Sequence, residues 1–169
     1  AGEGATVTQS AGVYDTKNVG ARTVTTSLGA GDFTGTGSTN LANYILPTAA
    51  SGAGTITPAP VQVINVTADD KIYDATTLAI LNTGSASLSG VLGADAVNVV
   101  SGGATGAFAT KNVGVDIPVT AAGFTIAGAD AANYIVLQPV GLFADITQAT
   151  LSLAWVRKVY DATRTLPAA

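Results

Sequence analysis

The chain has 169 residues with no cysteine, methionine or histidine, and its seven basic against eleven acidic residues give a net charge of −4. Without His and Cys there is no Ser-His-Asp triad, no Cys-His dyad and no zinc site of the usual ligand types. The acidic balance argues against nucleic acid as the main partner, and no apolar run reaches the roughly 18 residues needed to cross a membrane as a helix.

The composition turns away from helix. Glu3 is the sole glutamate and lysine occurs only at Lys17, Lys71, Lys111 and Lys158, while Thr, Val and Gly are plentiful. In chain order, Thr6-Val7-Thr8 and Thr23-Val24-Thr25 place Thr pairs on one strand face. Val61 to Thr67 reads as a partly alternating strand. Leu78 to Leu81 is a short apolar run closed by the turn signal Asn82-Thr83-Gly84. Further strands are expected at Ala96–Val100, Ile117–Thr120, Phe124–Ala127, Tyr134–Gln138 and Leu142–Thr147, with one helical turn at Gly128–Ala132. Short, regularly spaced strands predict an all-β chain of β-sandwich-like units; a β-grasp-like α+β unit is the alternative fold.

An internal repeat organises these elements. Thr16-Lys17-Asn18-Val19-Gly20 recurs as Thr110-Lys111-Asn112-Val113-Gly114, and Ala42-Asn43-Tyr44-Ile45 recurs as Ala132-Asn133-Tyr134-Ile135. Ile56-Thr57 recurs as Ile146-Thr147, and Lys71-Ile72-Tyr73-Asp74-Ala75-Thr76 as Lys158-Val159-Tyr160-Asp161-Ala162-Thr163. The order is kept, so a unit of about 90 residues is expected. Residues 1–58 read as the later part of a first unit, 59–148 as a complete unit and 149–169 as the opening of a third. Thr57-Pro58-Ala59-Pro60 marks the first junction, where two prolines are expected to stiffen the chain and limit strand pairing. The start at Ala1 and the lack of Met predict a processed protein or a piece of a longer one.

The ordered set Lys71 to Thr76, Gly90 to Asp95, Phe108 to Gly114 and Gly128 to Tyr134 resembles the YDG repeat of large bacterial haemagglutinin-type surface proteins. This chain departs from that pattern at Ala75 and Ala162, where the family usually has Gly after Tyr-Asp, and the first unit carries Tyr14-Asp15 in place of Phe108-Ala109. The resemblance implies tandem repeats in secreted adhesins on the surface of Gram-negative bacteria, and it implies no catalytic residue.

The repeated residues themselves read as structural: Tyr73, Asp74, Asn133, Tyr134, Gly114, Tyr160 and Asp161. Tyrosines fixed at repeat positions are expected in the core. Asp74 and Asp161 are expected to accept backbone N–H groups in a turn, and Asn43 and Asn133 to be turn residues. Gly20 and Gly114 are expected at a positive φ or a tight turn. No Asp-x-Asp-x-Asp loop is present for calcium; Asp95, Asp130, Asn133 and Asp145 could meet one only by converging through the fold, and Asp69-Asp70 would point to opposite faces of a strand. No cofactor is expected. Trp155 aligns with Ala68, so it is not a feature of every unit, and packing in the core or at a junction is expected for it.

The expected function is therefore a non-enzymatic stalk, spacer or fibre body, extracellular, with neighbouring repeats as its partners. Two alternatives stand beside it. One is an adhesive module binding a host or biofilm glycan or protein. The other is a subunit that polymerises head to tail by strand complementation.

Overall fold

The structure, a computed structural model, describes residues 2–153 together with Tyr160 and Ala162. Its regular structure is almost all strand. The helical pieces among the described residues are three 3₁₀ turns, Ala30–Asp32, Leu41–Asn43 and Ala131–Asn133. The fold is all-β. The β-grasp-like alternative needs an α-helix, and the described residues form none.

Residues 2–58, the first segment, carry β1 (Gly4–Val7), β2 (Val13–Tyr14), β3 (Gly20–Ser27), β4 (Phe33–Thr36) and β5 (Ala49–Ile56). The middle segment, residues 59–148, opens with β6 (Ala59–Ile64), β7 (Thr67–Ala68), β8 (Lys71–Ile72), β9 (Leu78–Ala79), β10 (Leu81–Asn82) and β11 (Ser87–Ser89). It continues with β12 (Asn98–Val100), β13 (Thr105–Phe108), β14 (Gly114–Ala122), β15 (Thr125–Ala127), β16 (Tyr134–Leu137) and β17 (Leu142–Thr147).

Two larger sheets build the middle segment, a five-stranded one in the order β8-β17-β14-β13-β9 and a three-stranded one in the order β11-β6-β16, together with the two-stranded pairs β7-β10 and β12-β15. The period-two pattern decides which faces they bury. Val61 and Val63 of β6, Ile117, Val119 and Ala121 of β14, and Ala144 and Ile146 of β17 all point inward. One core cluster joins Phe108, Ile117, Val119, Ala144 and Ile146 within the larger sheet. A second joins the sheets, with Val63, Leu88 and Val136 of the smaller sheet meeting Phe124, Ala121 and Leu142. Each fully buried side chain of this size contributes about 1.5–3 kcal/mol, so the middle segment holds most of the stability.

The two segments pair equivalent residues alike. β3 and β5 are antiparallel with Gly20 opposite Ile56 and Val24 opposite Gly52. β14 and β17 are antiparallel with Gly114 opposite Ile146 and Val119 opposite Leu142. The middle segment carries one more residue between those pairs, and a register shift between Gly114 and Ile117 absorbs it, with Asp116 at φ 50°.

Burial separates the segments. Phe108 is 3% exposed and Tyr134 7%, whereas Tyr14 and Tyr44 at the equivalent places are 41% and 47% exposed. The expectation of core tyrosines thus holds for Tyr134, partly for half-buried Tyr73, and fails for Tyr14 and Tyr44. The reason is coverage. β9 pairs with the outer edge of β13, and β6 runs parallel to β16; among the described residues no strand covers β2 or residues 44–48 in that way.

Two local expectations need correction. Pro60 does not keep the junction out of the sheet: it lies in β6 opposite Ile135. The missing N–H is tolerated near the strand's start, because β11 pairs with β6 only over Gln62–Ile64. Gly20 has φ +129°, but Gly114 has no positive φ; what limits a side chain there is Ile117, whose Cδ1 would lie 3.3 Å from an added Cβ.

Candidate functional site

Two constellations gather the polar side chains. The first is the Tyr-Asp turn of the middle segment. β8 pairs in parallel with β17, and the Tyr73 N–H continues that pairing by donating to the Thr147 carbonyl at 2.9 Å. The chain then turns back through Ala75 at φ 64°. Lys71 Nζ ties the turn together, donating to Asp74 Oδ1 at 2.8 Å, the Thr76 carbonyl at 2.8 Å and the Leu78 carbonyl at 3.0 Å. Asp74 Oδ1 also accepts the Thr76 N–H and hydroxyl, both at 2.9 Å. The Lys71 ammonium beside it, helped by these two donors, holds the Asp74 carboxyl down at about 2. The same ammonium lies 5.3 Å from the centre of the Phe108 ring, a cation–π contact over the core. These bonds fix a turn, and Tyr73 borders an open cleft with Asn112, Val113 and Gln148.

Ala75 is the strained member of the turn. A left-handed conformation costs an L-residue about 1–2 kcal/mol. Ala162, its counterpart in the repeated motif, has φ 61°. Ala75→Gly is expected to stabilise the chain by about 0.5–1 kcal/mol, the relief of strain less the extra chain entropy of glycine. Urea unfolding with an unchanged slope would measure it.

The second constellation joins the two segments. β5 ends at Ile56 and β6 starts at Ala59, so the covalent connection is Thr57-Pro58. Beside it, Lys17 reaches from the first segment to Asp95 Oδ1 at 2.5 Å and Asp130 Oδ1 at 3.5 Å in the middle one. The Val19 N–H donates to Asn133 Oδ1 at 2.9 Å, and Asn133 Nδ2 donates to Asn18 Oδ1 at 3.2 Å. Local turns set these groups up. The Asn18 N–H donates to Thr16 Oγ1, forming the turn that presents Lys17. Asn133 ends a 3₁₀ turn that starts after Asp130. Asp130 Oδ2 accepts the Ala96 N–H, and Tyr134 OH donates to Asp95 Oδ2 and accepts the Leu92 N–H. Lys17 and Tyr134 together hold the Asp95 carboxyl below its usual range, and Asp95 in turn raises Lys17. Burial, more than its hydrogen bonds, pushes the Tyr134 phenol up.

The profile of the YDG domain matches residues 57–141. The chain belongs to the YDG domain family. No curated protein and no solved structure matches it. The YDG match reaches back to the Thr57-Pro58 link and runs to Gly141, short of β17 and its core residues Ala144 and Ile146, and it leaves Lys17, Asn18 and Val19 outside.

Against this frame the expected site residues divide. Tyr73 and Asp74 sit in the turn; Asn133 and Tyr134 sit at the junction, where Asn133 does more than end a turn. Gly114 opens β14 opposite Ile146, which on its other side pairs with Lys71 of the turn. Tyr160 is exposed at 92%, unlike half-buried Tyr73, and Asp161 and Trp155 lie outside the described residues. Of the four groups weighed for calcium, Asp95, Asp130 and Asn133 do converge, but on the Lys17 ammonium and the Val19 N–H. Asp145 is elsewhere, with its Oδ1 accepting the Asp116 N–H and its N–H bound to Asp70 Oδ1. Asp69 and Asp70 lie between β7 and β8, in neither strand. The described residues contain no cluster of three acidic, His or Cys side chains able to hold a metal. Lys17 was missed as a site residue, although its recurrence as Lys111 next to the repeated Asn-Val-Gly was a usable signal.

Proposed function

We propose that this chain is a non-enzymatic structural module of a secreted bacterial surface adhesin, in which tandem YDG units of about 90 residues form a spacer or fibre body. Residues 1–58 are then the later part of one unit, 59–148 a full unit and 149–169 the start of the next. The junction carries this reading. A two-residue link, an ion pair shared by two carboxylates and two hydrogen bonds through Asn133 fix one unit on the next, whereas a flexible tether would need none of them. The equivalent pairing of β3–β5 and β14–β17 and the chemically quiet composition support it further. The family supplies the surface setting by resemblance, with neighbouring units as the partners and an extracellular Gram-negative location.

The test is a binding survey of the intact chain on a glycan array and on host cells. A spacer gives no saturable binding to either. Saturable binding to a defined sugar or receptor would turn the reading to an adhesive module.

A further inference from the structure

We propose that the middle segment is a force-bearing unit, in which residues 59–72 and 134–147 form a shear clamp between the points where tension enters and leaves. The tension comes from the spacer reading above; the clamp rests on the strand register alone.

Two parallel pairings share one register. In β6–β16, Ala59 stands opposite Tyr134 and Gln62 opposite Leu137. In β8–β17, Lys71 stands opposite Ile146 and Ile72 opposite Thr147. Both keep the same offset of 75 residues, and so does the bond that lies between them, from the Asp145 N–H to Asp70 Oδ1 at 2.7 Å. The first and last stretches of the unit therefore run side by side in one direction, from the Ala59 end to the Ile72 end. Side chains tie them further. Gln62 Nε2 donates to the Gln138 carbonyl at 2.6 Å, and Thr147 Oγ1 donates to the Lys71 carbonyl at 3.3 Å. Both outermost strands are also held on two sides: β6 lies between β11 and β16, and β17 between β8 and β14.

Tension along the chain enters at Ala59 from Thr57-Pro58 and leaves beyond Thr147 through Gln148. Those are the start of one stretch and the end of its parallel neighbour, at opposite ends of the unit. Pulling them apart drags the two stretches past each other along their own axis. Ladder bonds cross from strand to strand, so this load strains them together and not in turn. The side chains oppose sliding as well. Val61 and Val63 of the first stretch and Ala144 and Ile146 of the last are all buried. A slip of β6 by one residue would put Gln62 and Ile64 in the places of Val61 and Val63. Load applied at Ala59 and Tyr134, which share one end, would instead peel β6 from β16 one bond at a time. Forced unfolding follows the unfolding rate along the pulled direction, so one fold has two strengths.

Single-molecule force spectroscopy of the intact chain in two geometries tests it. The chain has no cysteine, so an introduced pair is the sole point of attachment. Pro58→Cys with Gln148→Cys loads the clamp in shear, and Pro58→Cys with Ala132→Cys peels it. At one loading rate the shear pair is expected to unfold at several times the force of the peeling pair. Asp70→Ala, added to each pair, removes the tie to Asp145 far from Ala132. It is expected to lower the shear force and to leave the peeling force unchanged, because peeling loads the near bonds first. Pro58, Asp70, Ala132 and Gln148 are all exposed and outside the core clusters, so the substitutions leave the packing intact. Equal forces in the two geometries overturn the proposal. So does an Asp70→Ala effect that is absent in shear or the same in both, the mark of a general loss of stability. None of these outcomes touches the spacer reading, which falls only on saturable binding or on a loose internal junction.

Discussion

Phe124→Ala is expected to lower the unfolding free energy of the YDG domain by about 3–5 kcal/mol, the cost of a large aromatic removed from a packed core. Phe124 is 2% exposed and sits where the two sheets meet, against Val63, Val66 and Ala121, with Leu88, Val136 and Leu142 around them. Its backbone is clamped as well. The Phe124 N–H donates to Gln138 Oε1 at 2.9 Å, and Gln138 Nε2 returns a bond to the Phe124 carbonyl at 3.0 Å. That clamp keeps the site from collapsing into the space left behind, which places the loss toward the upper end. Denaturant unfolding followed by the far-ultraviolet signal of the sheets measures it. Ile80→Ala, at a position 68% exposed, is the control and should change stability by less than about 0.5 kcal/mol.

Gly128→Ala is expected to cost about 2–4 kcal/mol and to loosen the junction at the same time. Gly128 has φ +129°, and an added Cβ would lie 2.1 Å from the Ala96 carbonyl oxygen and 2.9 Å from its carbon. The obstacle is backbone on both sides, so no side chain can swing away. The Ala96 carbonyl accepts the Asp130 N–H at 3.2 Å and the Ala96 N–H donates to Asp130 Oδ2, so moving Ala96 moves the carboxylates that receive Lys17. The variant should therefore lose stability and shift the amide resonances of Lys17 to Val19 in the other segment. Gly102→Ala, where an added methyl meets nothing within 4 Å, should do neither.

How much of this could be read from the sequence depends on range. β17 runs over Leu142–Thr147 as its pattern predicts, and β16 and β12 fall inside their expected spans, because alternating apolar residues on one face are a local property. β5 had no such signal. Ala49 to Thr55 is built of Ala, Ser, Gly and Thr, with Ile56 the one large apolar residue, and the stretch is a strand because β3 pairs with it over its whole length. The parallel pairing of β16 with β6 joins residues about 75 apart, and no local pattern encodes it. The site shows the same division. The Asp74 turn is contained in Lys71 to Leu78, and its carboxylate does accept a backbone N–H two residues on. The junction joins Lys17 to Asp95 and Val19 to Asn133 across the fold, so composition could show the acids but not the ammonium that gathers them. The repeat held the missing information. Lys17, Asn18 and Val19 recur as Lys111, Asn112 and Val113, and in the first segment these are the residues that meet the middle one.

Exposed ion pairs contribute little on their own, so the order of the junction rests on the short link, the Asn133 bonds and the Lys17 contacts acting together. Residual dipolar couplings, collected separately for the amides of β3–β5 and of β13–β17, test that order most directly. A single alignment tensor fitting both sets is the expected result. Two tensors of different magnitude and direction would mean that the units reorient freely about Thr57-Pro58, and would contradict a spacer built on a fixed junction.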